Sequence, residues 1–407
     1  MNFKIAILIL LVLSKAYSLM LGIVRHRSAN NPTPENVADV FDAETYAKWK
    51  KYSAECSRHE IVTTIVTFIV SAVLFFSNAY AAFAGLFPTG VFMQLFAVVL
   101  LDSVVSAIVG AVLGYYSTMV IEEKYGFNRS TMKTFVIDQI RGLIIELLLS
   151  TVLAGLLALL YRAMGDAVII LFAAAVFCLT LIISFLYPIL SRIGNKFTPL
   201  EEGELRTQLM ALLTKHGYQV KAIEVMDASR RTTKLNAYFT GFGKMKTIVL
   251  YDNLVNAMTT EEICSVFAHE LGHGLHKDVL KQQAMNFGNL LIMAVLAWLA
   301  VKFPALHTEF GFSEVNYGFA CIAFSAALGV IQPLTGMAMN AYSRFAEYRA
   351  DRQAVKEGYG EAMITALKKL AKENFAHLAP SSVNVVLEYS HPPLHNRIEA
   401  VEKAINE

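Results

Sequence analysis

Long runs without a charged residue constrain this chain more than any other feature. Residues 61–101, 167–191, 282–301 and 315–343 contain no Asp, Glu, Lys or Arg. A soluble domain carries about 25% charged residues, whereas this chain has 17% charged and 55% hydrophobic residues and a mean hydropathy of +0.47. Apolar stretches of about 18 or more residues indicate membrane spans. The chain is therefore predicted to be a polytopic membrane protein.

The apolar stretches predict seven spans, and the basic residues orient them. The predicted spans are 4–24, 62–84, 91–120, 142–162, 167–191, 284–302 and 316–341. Lys and Arg are concentrated in four segments, 25–60, 121–141, 192–283 and 344–407, and are absent from 85–90, 163–166 and 303–315. The positive-inside rule places the basic segments in the cytoplasm, so we expect the N-terminus outside and the C-terminus inside. The first stretch also resembles a signal peptide, but it continues to Val24, which favours a retained span.

Two acidic residues, Asp102 and Glu146, fall within predicted spans. Ionisable groups are costly in hydrocarbon and usually face a bundle interior or a water-filled cavity. They are interpreted either as the wall of a polar chamber or as partners in hydrogen bonds between helices. Neither is assigned a catalytic role.

Charge and cysteine spacing give no sign of a nucleic-acid partner, a cysteine metal site or a disulfide. The net charge of +2 gives no reason to expect nucleic acid. The four cysteines are widely separated, without the spacing of a metal or disulfide motif. Nothing in the pattern indicates an oligomeric state.

The chemistry is carried by the sequence His269-Glu270-Leu271-Gly272-His273 in the segment 192–283. Thr259 and Glu262 have the spacing of a capping box, which predicts a helix starting there. His269 and His273 then lie on one helical face, where two imidazoles can bind one zinc ion. Glu270 is turned by about 100°, in position to accept a proton from water that zinc activates at neutral pH. The alternative is a pair of solvated surface histidines.

A catalytic zinc needs a third protein ligand and one open position. After the last predicted span, Glu347 and Asp351 are four residues apart on one helical face. Glu347 would complete a His₂Glu site, and Asp351 would orient a ligand histidine from behind. The alternative is a solvated helix in which these acids pair with neighbouring arginines.

Two further histidines are candidates for supporting roles. His276 follows His273 by three residues and is interpreted as a histidine that supports a ligand from behind or lies at the surface, rather than as a ligand. His391 precedes Pro392-Pro393, a rigid turn that would aim its ring at a substrate oxyanion. Without other support, a plain turn is the default.

Together these motifs resemble the type 1 CAAX prenyl proteases, seven-span zinc metalloproteases of the a-factor-converting type. The matching stretches are Ile121–Asn128 (IEEKYGFN), Asn195–Leu205 (NKFTPLEEGEL), Asn236–Phe239 (NAYF) followed by Gly241-Phe242, His269–His273, the Glu347–Asp351 pair and Ser390–Leu394 (SHPPL). They occur in the family's order and cover about residues 40–400. One departure is Gly274–Asp278, where yeast-type members continue with Trp-Lys after HELGH.

The resemblance implies a role for each matching residue. His269, His273 and Glu347 would be the zinc ligands and Glu270 the general base. His391 would stabilise the tetrahedral intermediate. An extended peptide would pair with the strand near Asn236, and Arg397 would support the site or the substrate; these two residues and Asp351 complete the predicted site.

The fold implied is a predominantly α-helical bundle enclosing a chamber, with a small α+β zinc metalloprotease domain on the cytoplasmic side. The predicted division is 1–191 (first five spans), 192–283 (metalloprotease region), 284–341 (last two spans) and 342–407 (tail completing the zinc site). Strands are predicted at Val220–Met226 and Thr247–Tyr251, with a turn at 241–244.

The function implied is removal of the C-terminal tripeptide from prenylated CAAX proteins. The membrane would be the endoplasmic reticulum in a eukaryote and the inner membrane in a prokaryote. An alternative is a quality-control endopeptidase for unprenylated membrane proteins. A non-catalytic scaffold with a structural zinc is disfavoured, because such sites usually have four ligands rich in Cys.

Overall fold

The computed structural model describes residues 2–190, 192, 194–218, 222–240 and 247–407. Within these residues, seven helices are longer than 20 residues. They are α1 (Phe3–Ser28), α2 (Ala43–Phe76), α4 (Val91–Tyr115), α6 (Met132–Met164), α7 (Val168–Leu190), α11 (Asp278–Lys302) and α13 (Tyr317–Lys356). Among the described residues, six stretches are long and apolar enough to cross a membrane, and one of them, Met132–Leu186, contains α6 and most of α7. The predicted helical membrane bundle is confirmed.

Nine shorter helices complete the helical part of the described chain. They are α3 (Ala79–Ala84), α5 (Glu123–Tyr125), α8 (Glu204–Lys215), α9 (Asp252–Ala257), α10 (Thr260–Leu275), α12 (Pro304–Glu309), α14 (Gly360–Glu373), α15 (Ser382–Leu387) and α16 (Leu394–Asn406). A π-helical segment, Tyr116–Glu122, continues α4, and a short 3₁₀ segment, Gly165–Ala167, separates α6 from α7.

Several long helices extend well beyond the apolar runs that predicted them. The 40 residues of α13 correspond to about 60 Å at 1.5 Å per residue, about twice the hydrocarbon thickness of a bilayer. Asn316 caps its start by accepting a hydrogen bond from the Phe319 amide at 3.0 Å. The helix therefore carries a predicted span and the polar segment containing Glu347 as one continuous element.

A four-stranded sheet packs with the shorter helices. Its strands are β1 (Phe197–Pro199), β2 (Ala222–Met226), β3 (Ala237–Thr240) and β4 (Thr247–Tyr251). The order is β1-β2-β4-β3, with β2 and β4 parallel and both outer pairs antiparallel. β4 matches its prediction, while Val220 and Lys221 of the other predicted strand and the predicted turn at 241–244 lie outside the described residues. β3 is an edge strand, and among the described residues no strand pairs with its outer side.

The helical bundle contains a cavity of about 240 Å³. Asp102 lines it with several serines and apolar side chains, and the Tyr80 hydroxyl donates a hydrogen bond to Asp102 at 2.6 Å. Glu146 lies one helical turn before Ser150 of the cavity wall and is exposed. Asp102 thus combines both interpretations, a cavity wall and a hydrogen bond between helices.

The four-part division of the chain stays a prediction.

Candidate metal centre

Helix α10 forms because its first turn is doubly capped and one face is apolar. The Thr259 hydroxyl accepts a hydrogen bond from the Glu262 amide at 3.3 Å, and the Glu262 carboxylate accepts one from the Thr259 amide at 2.9 Å. Phe267 and Leu271 are buried and anchor the helix. His269 and His273 therefore project together from one side, with their Nε2 atoms 3.2 Å apart.

A close contact between α10 and α13 brings the third candidate ligand, a carboxylate, to the two histidines. A Cβ atom on Gly272 would lie 3.0 Å from the Cα of Ala350, so only glycine permits this approach without a shift. Ala350 lies within one turn of Glu347 and Asp351 on α13, and both carboxylates are buried. The two helices thus meet where the candidate ligands are.

The spacing of the three side chains fits one tetrahedral zinc ion. Glu347 Oε2 is 3.5 Å from His269 Nε2, and Glu347 Oε1 is 3.3 Å from His273 Nε2. Ligands about 2.05 Å from a tetrahedral ion lie about 3.3 Å apart. Glu347 Oε2 is buried, and no described residue donates a hydrogen bond to it. Two imidazoles and a carboxylate form the donor set of a catalytic zinc site with one open position.

Asp351 and Arg397 lie behind His269. Asp351 Oδ1 is 2.8 Å from His269 Nδ1. The Arg397 guanidinium donates two hydrogen bonds to Asp351, at 2.6 and 2.8 Å, and its Nη1 is 3.3 Å from Glu347 Oε2. This arrangement directs His269 Nε2 toward the other ligand atoms, because Nδ1 is occupied by the carboxylate.

His391 approaches the same centre from the turn before α16. Its Nε2 is 3.3 Å from Glu347 Oε1, and its Nδ1 is 2.9 Å from the Ser390 hydroxyl. The side chain keeps 63% of its surface exposed. The ring therefore lies at the edge of the centre and remains accessible to solvent.

Glu270 lies on the side of α10 that faces the sheet, and Asn236 directly precedes β3 of that sheet. Glu270 lines a small cavity with Ala237 and Tyr238 of β3. Asn236 is exposed at the start of that strand, and its side-chain oxygen accepts a hydrogen bond from the Ala237 amide at 2.9 Å. The candidate base and the edge strand thus border one space.

One buried partner of the centre, Asp278, is missing from the sequence-based site. Its Oδ2 is 3.1 Å from His273 Nδ1, whereas His276 is outside the group of three metal-binding side chains. Burial disfavours the charged ring, but the carboxylates of Glu347 and Asp278 outweigh it and raise the pKa of His273 to about 9. Because a metal ion binds the neutral imidazole, this raised pKa makes metal binding more favourable as the pH rises. The signal available in the sequence was an Asp five residues after His273, at a helix start.

Two family profiles together match most of the chain. Residues 199–405 match the profile of peptidase family M48, and residues 23–192 match that of the CAAX prenyl protease N-terminal region, five membrane helices. The chain belongs to the CAAX prenyl protease 1 family of M48 peptidases. It is thus a multi-pass membrane metalloprotease that acts on a peptide or protein substrate.

Relatives from plants and a solved structure support the assignment over nearly full length. A CAAX prenyl protease 1 homolog of Oryza sativa subsp. japonica is 30% identical, covering 98% of this chain and 97% of that protein. The homolog of Arabidopsis thaliana is 32% identical, covering 91% and 90%. The crystal structure of S. mikatae Ste24p superimposes with a TM-score of 0.91 at 25% identity, covering 99% of each chain.

Proposed function

We propose that this CAAX protease family member removes the last three residues of prenylated CAAX proteins. The observation that carries the proposal is the cluster of His269, His273 and Glu347, whose ligand atoms all lie within 4.8 Å of one another. The names of the relatives support the substrate class. The apolar bundle beside the centre offers a surface against which a prenyl chain can pack.

The three ligands would hold zinc, which supplies Lewis acidity and a water nucleophile at neutral pH. Glu270 accepts the proton of the attacking water and delivers it to the leaving amine. His391 donates a hydrogen bond to the oxyanion that develops on the scissile carbonyl. Asp351 and Arg397 hold His269 in the orientation that this chemistry requires.

The substrate backbone pairs with the open edge of β3. An extended peptide can add a strand to an exposed sheet edge through main-chain hydrogen bonds. Because Glu270 shares a small cavity with Ala237 and Tyr238, a peptide on this edge passes close to the proposed base. Asn236 at the start of the strand would contact the peptide.

The direct test is cleavage of a farnesylated CAAX peptide by the purified protein in detergent. Glu270→Gln should bind zinc within about twofold of wild type and lose about 10³-fold in kcat, since a general base contributes about 10²–10⁴-fold. Glu261→Gln changes the same charge on an exposed position of α10 and should cleave normally. A fully active Glu270→Gln enzyme would refute the assigned base.

Unprenylated substrates separate this proposal from quality control. A farnesylated peptide should be cleaved much faster than its unprenylated counterpart and than a misfolded membrane protein, with release of the tripeptide. Equal rates on all three would favour the quality-control endopeptidase. Zinc-loaded, folded protein that cleaves none of them would revive the non-catalytic scaffold.

We also propose that the metal centre lies on the cytoplasmic side, with the N-terminus outside. The basic segments support this orientation through the positive-inside rule. In a eukaryotic cell the membrane would be the endoplasmic reticulum, and in a prokaryote the inner membrane.

A further inference from the structure

The segment after HELGH forms a sharp reversal of the chain. Helix α10 ends at Leu275, and α11 begins at Asp278. Between them Lys277 adopts a left-handed conformation with φ of 56°, which is uncommon for a residue other than glycine. The reversal brings the first residue of α11 back to the last histidine of the motif, so Asp278 Oδ2 lies 3.1 Å from His273 Nδ1.

Asp278 is 2% exposed and is held from the opposite side by α13. The Tyr342 hydroxyl donates a hydrogen bond to Asp278 Oδ1 at 2.7 Å, and the Arg349 guanidinium donates a second one to the same oxygen. One carboxylate oxygen is therefore fixed by two donors, while the other faces the imidazole. The carboxylate has no freedom to turn away from His273 without losing these bonds.

The same arrangement occurs at the other histidine of the motif. His269 Nδ1 contacts the buried Asp351, which Arg397 holds with two hydrogen bonds. Each histidine thus has a buried aspartate behind it, and each aspartate is held by an arginine. A carboxylate on the far nitrogen fixes the tautomer and ring orientation of a metal-binding histidine and raises its basicity.

We propose that Asp278, held by Tyr342 and Arg349, is a positioning residue that orients His273 as a metal ligand. The inference rests on the proposed metal-centred function, in which His273 binds zinc. The competing explanation is that Asp278 only ties the start of α11 to α13, without an effect on the metal.

The test measures zinc affinity directly, by competition with a chromophoric chelator in detergent. Asp278→Ala and Asp278→Asn should each lower the zinc affinity, by about 10–100-fold for the loss of such a partner. The visible spectrum of the cobalt-substituted protein should also change in Asp278→Ala. The matched control is Asp252→Asn, at another helix start, where the aspartate accepts hydrogen bonds from Ser229 rather than contacting a metal ligand.

Each outcome decides the proposal. Folded Asp278 variants with zinc affinity within twofold of wild type and an unchanged cobalt spectrum would overturn it, even if their melting temperature falls. If both Asp278 variants fail to fold, Tyr342→Phe decides, because it removes one bond to the carboxylate and should weaken zinc binding by about threefold. Unchanged zinc affinity in that variant would then overturn the proposal. These readouts do not require CAAX cleavage, so they stand apart from a failure of the proposed substrate.

Discussion

Replacing Gly272 by alanine is predicted to damage the metal centre through packing alone. The added Cβ would lie 3.0 Å from the Cα of Ala350 and 3.0 Å from the Cβ of Gln353. Carbon atoms pack best at about 3.5–4.0 Å, so α10 and α13 must separate by a few tenths of an ångström. Both neighbours are anchored to the helix backbone and cannot move aside as the tip of a flexible side chain would.

The energetic cost has two parts of opposite sign. Overpacking of this kind costs about 1–3 kcal/mol, while alanine in a helix interior gains about 1 kcal/mol over glycine. The net loss of stability is therefore about 1 kcal/mol. The effect on the metal is larger, because His273 and Glu347 are carried by the two separated helices, and metal–ligand distances tolerate only about 0.2 Å. We expect zinc affinity to fall at least about tenfold.

The assay combines chelator competition with thermal unfolding of the detergent-solubilised protein. Gly288→Ala is the matched control, since the same substitution in α11 meets no atom within 4 Å. The control should keep its zinc affinity within about twofold. Gly272→Ala with wild-type zinc affinity and melting temperature would refute the claim that the close approach of α10 and α13 sets the ligand geometry.

Three further predictions address other parts of the molecule. Arg397→Lys cannot keep both hydrogen bonds to Asp351 and should lower stability by about 2 kcal/mol; an unchanged melting temperature would count against a supporting role. Burial lowers the pKa of the fully buried His307 to about 4. The stability that depends on its neutral ring is therefore complete above about pH 6.5 and is lost as the pH falls toward 4. The loss reaches about 3 kcal/mol, and His307→Gln should flatten the dependence of melting temperature on pH. The last prediction tests orientation in a protein whose native cysteines have been replaced. Leu86→Cys, at a turn residue that is 78% exposed, should react with an impermeant maleimide added from outside, whereas Glu407→Cys should react only after permeabilisation. The reverse pattern would invert the proposed orientation.

The helices were predictable because their determinants are local. Apolar run length identifies spans, and the Thr259–Glu262 capping box identifies the start of α10. The extension of α2 and α13 into polar sequence was not predictable from hydropathy, since charged residues such as Lys and Glu are also good helix formers. The π-helical segment Tyr116–Glu122 and the short strand β1 were missed for a different reason, because neither leaves a periodic pattern.

The candidate site was predictable where residues four apart share a helical face. The spacing brings His269 beside His273, and the same spacing puts Glu347 beside Asp351 on α13. Asp278 was missed because its contact depends on a left-handed residue at position 277, and neither lysine nor its neighbours mark such a turn. Contacts made by a chain reversal or between distant helices require the tertiary structure.

The charges around the centre explain why a divalent cation suits this cluster. Three buried carboxylates, those of Asp278, Glu347 and Asp351, and the half-buried carboxylate of Glu270 lie around the two histidines, and the guanidinium groups of Arg349 and Arg397 pair with the buried carboxylates. Four negative and two positive charges leave two negative charges unbalanced when the histidines are neutral, and a buried unpaired charge is costly. A divalent ion bound by two neutral imidazoles and one carboxylate cancels both. Protonation of His273 cancels only one of these negative charges. Protons and the metal ion therefore compete for the same site. Removal of the metal should destabilise the contact between α10 and α13.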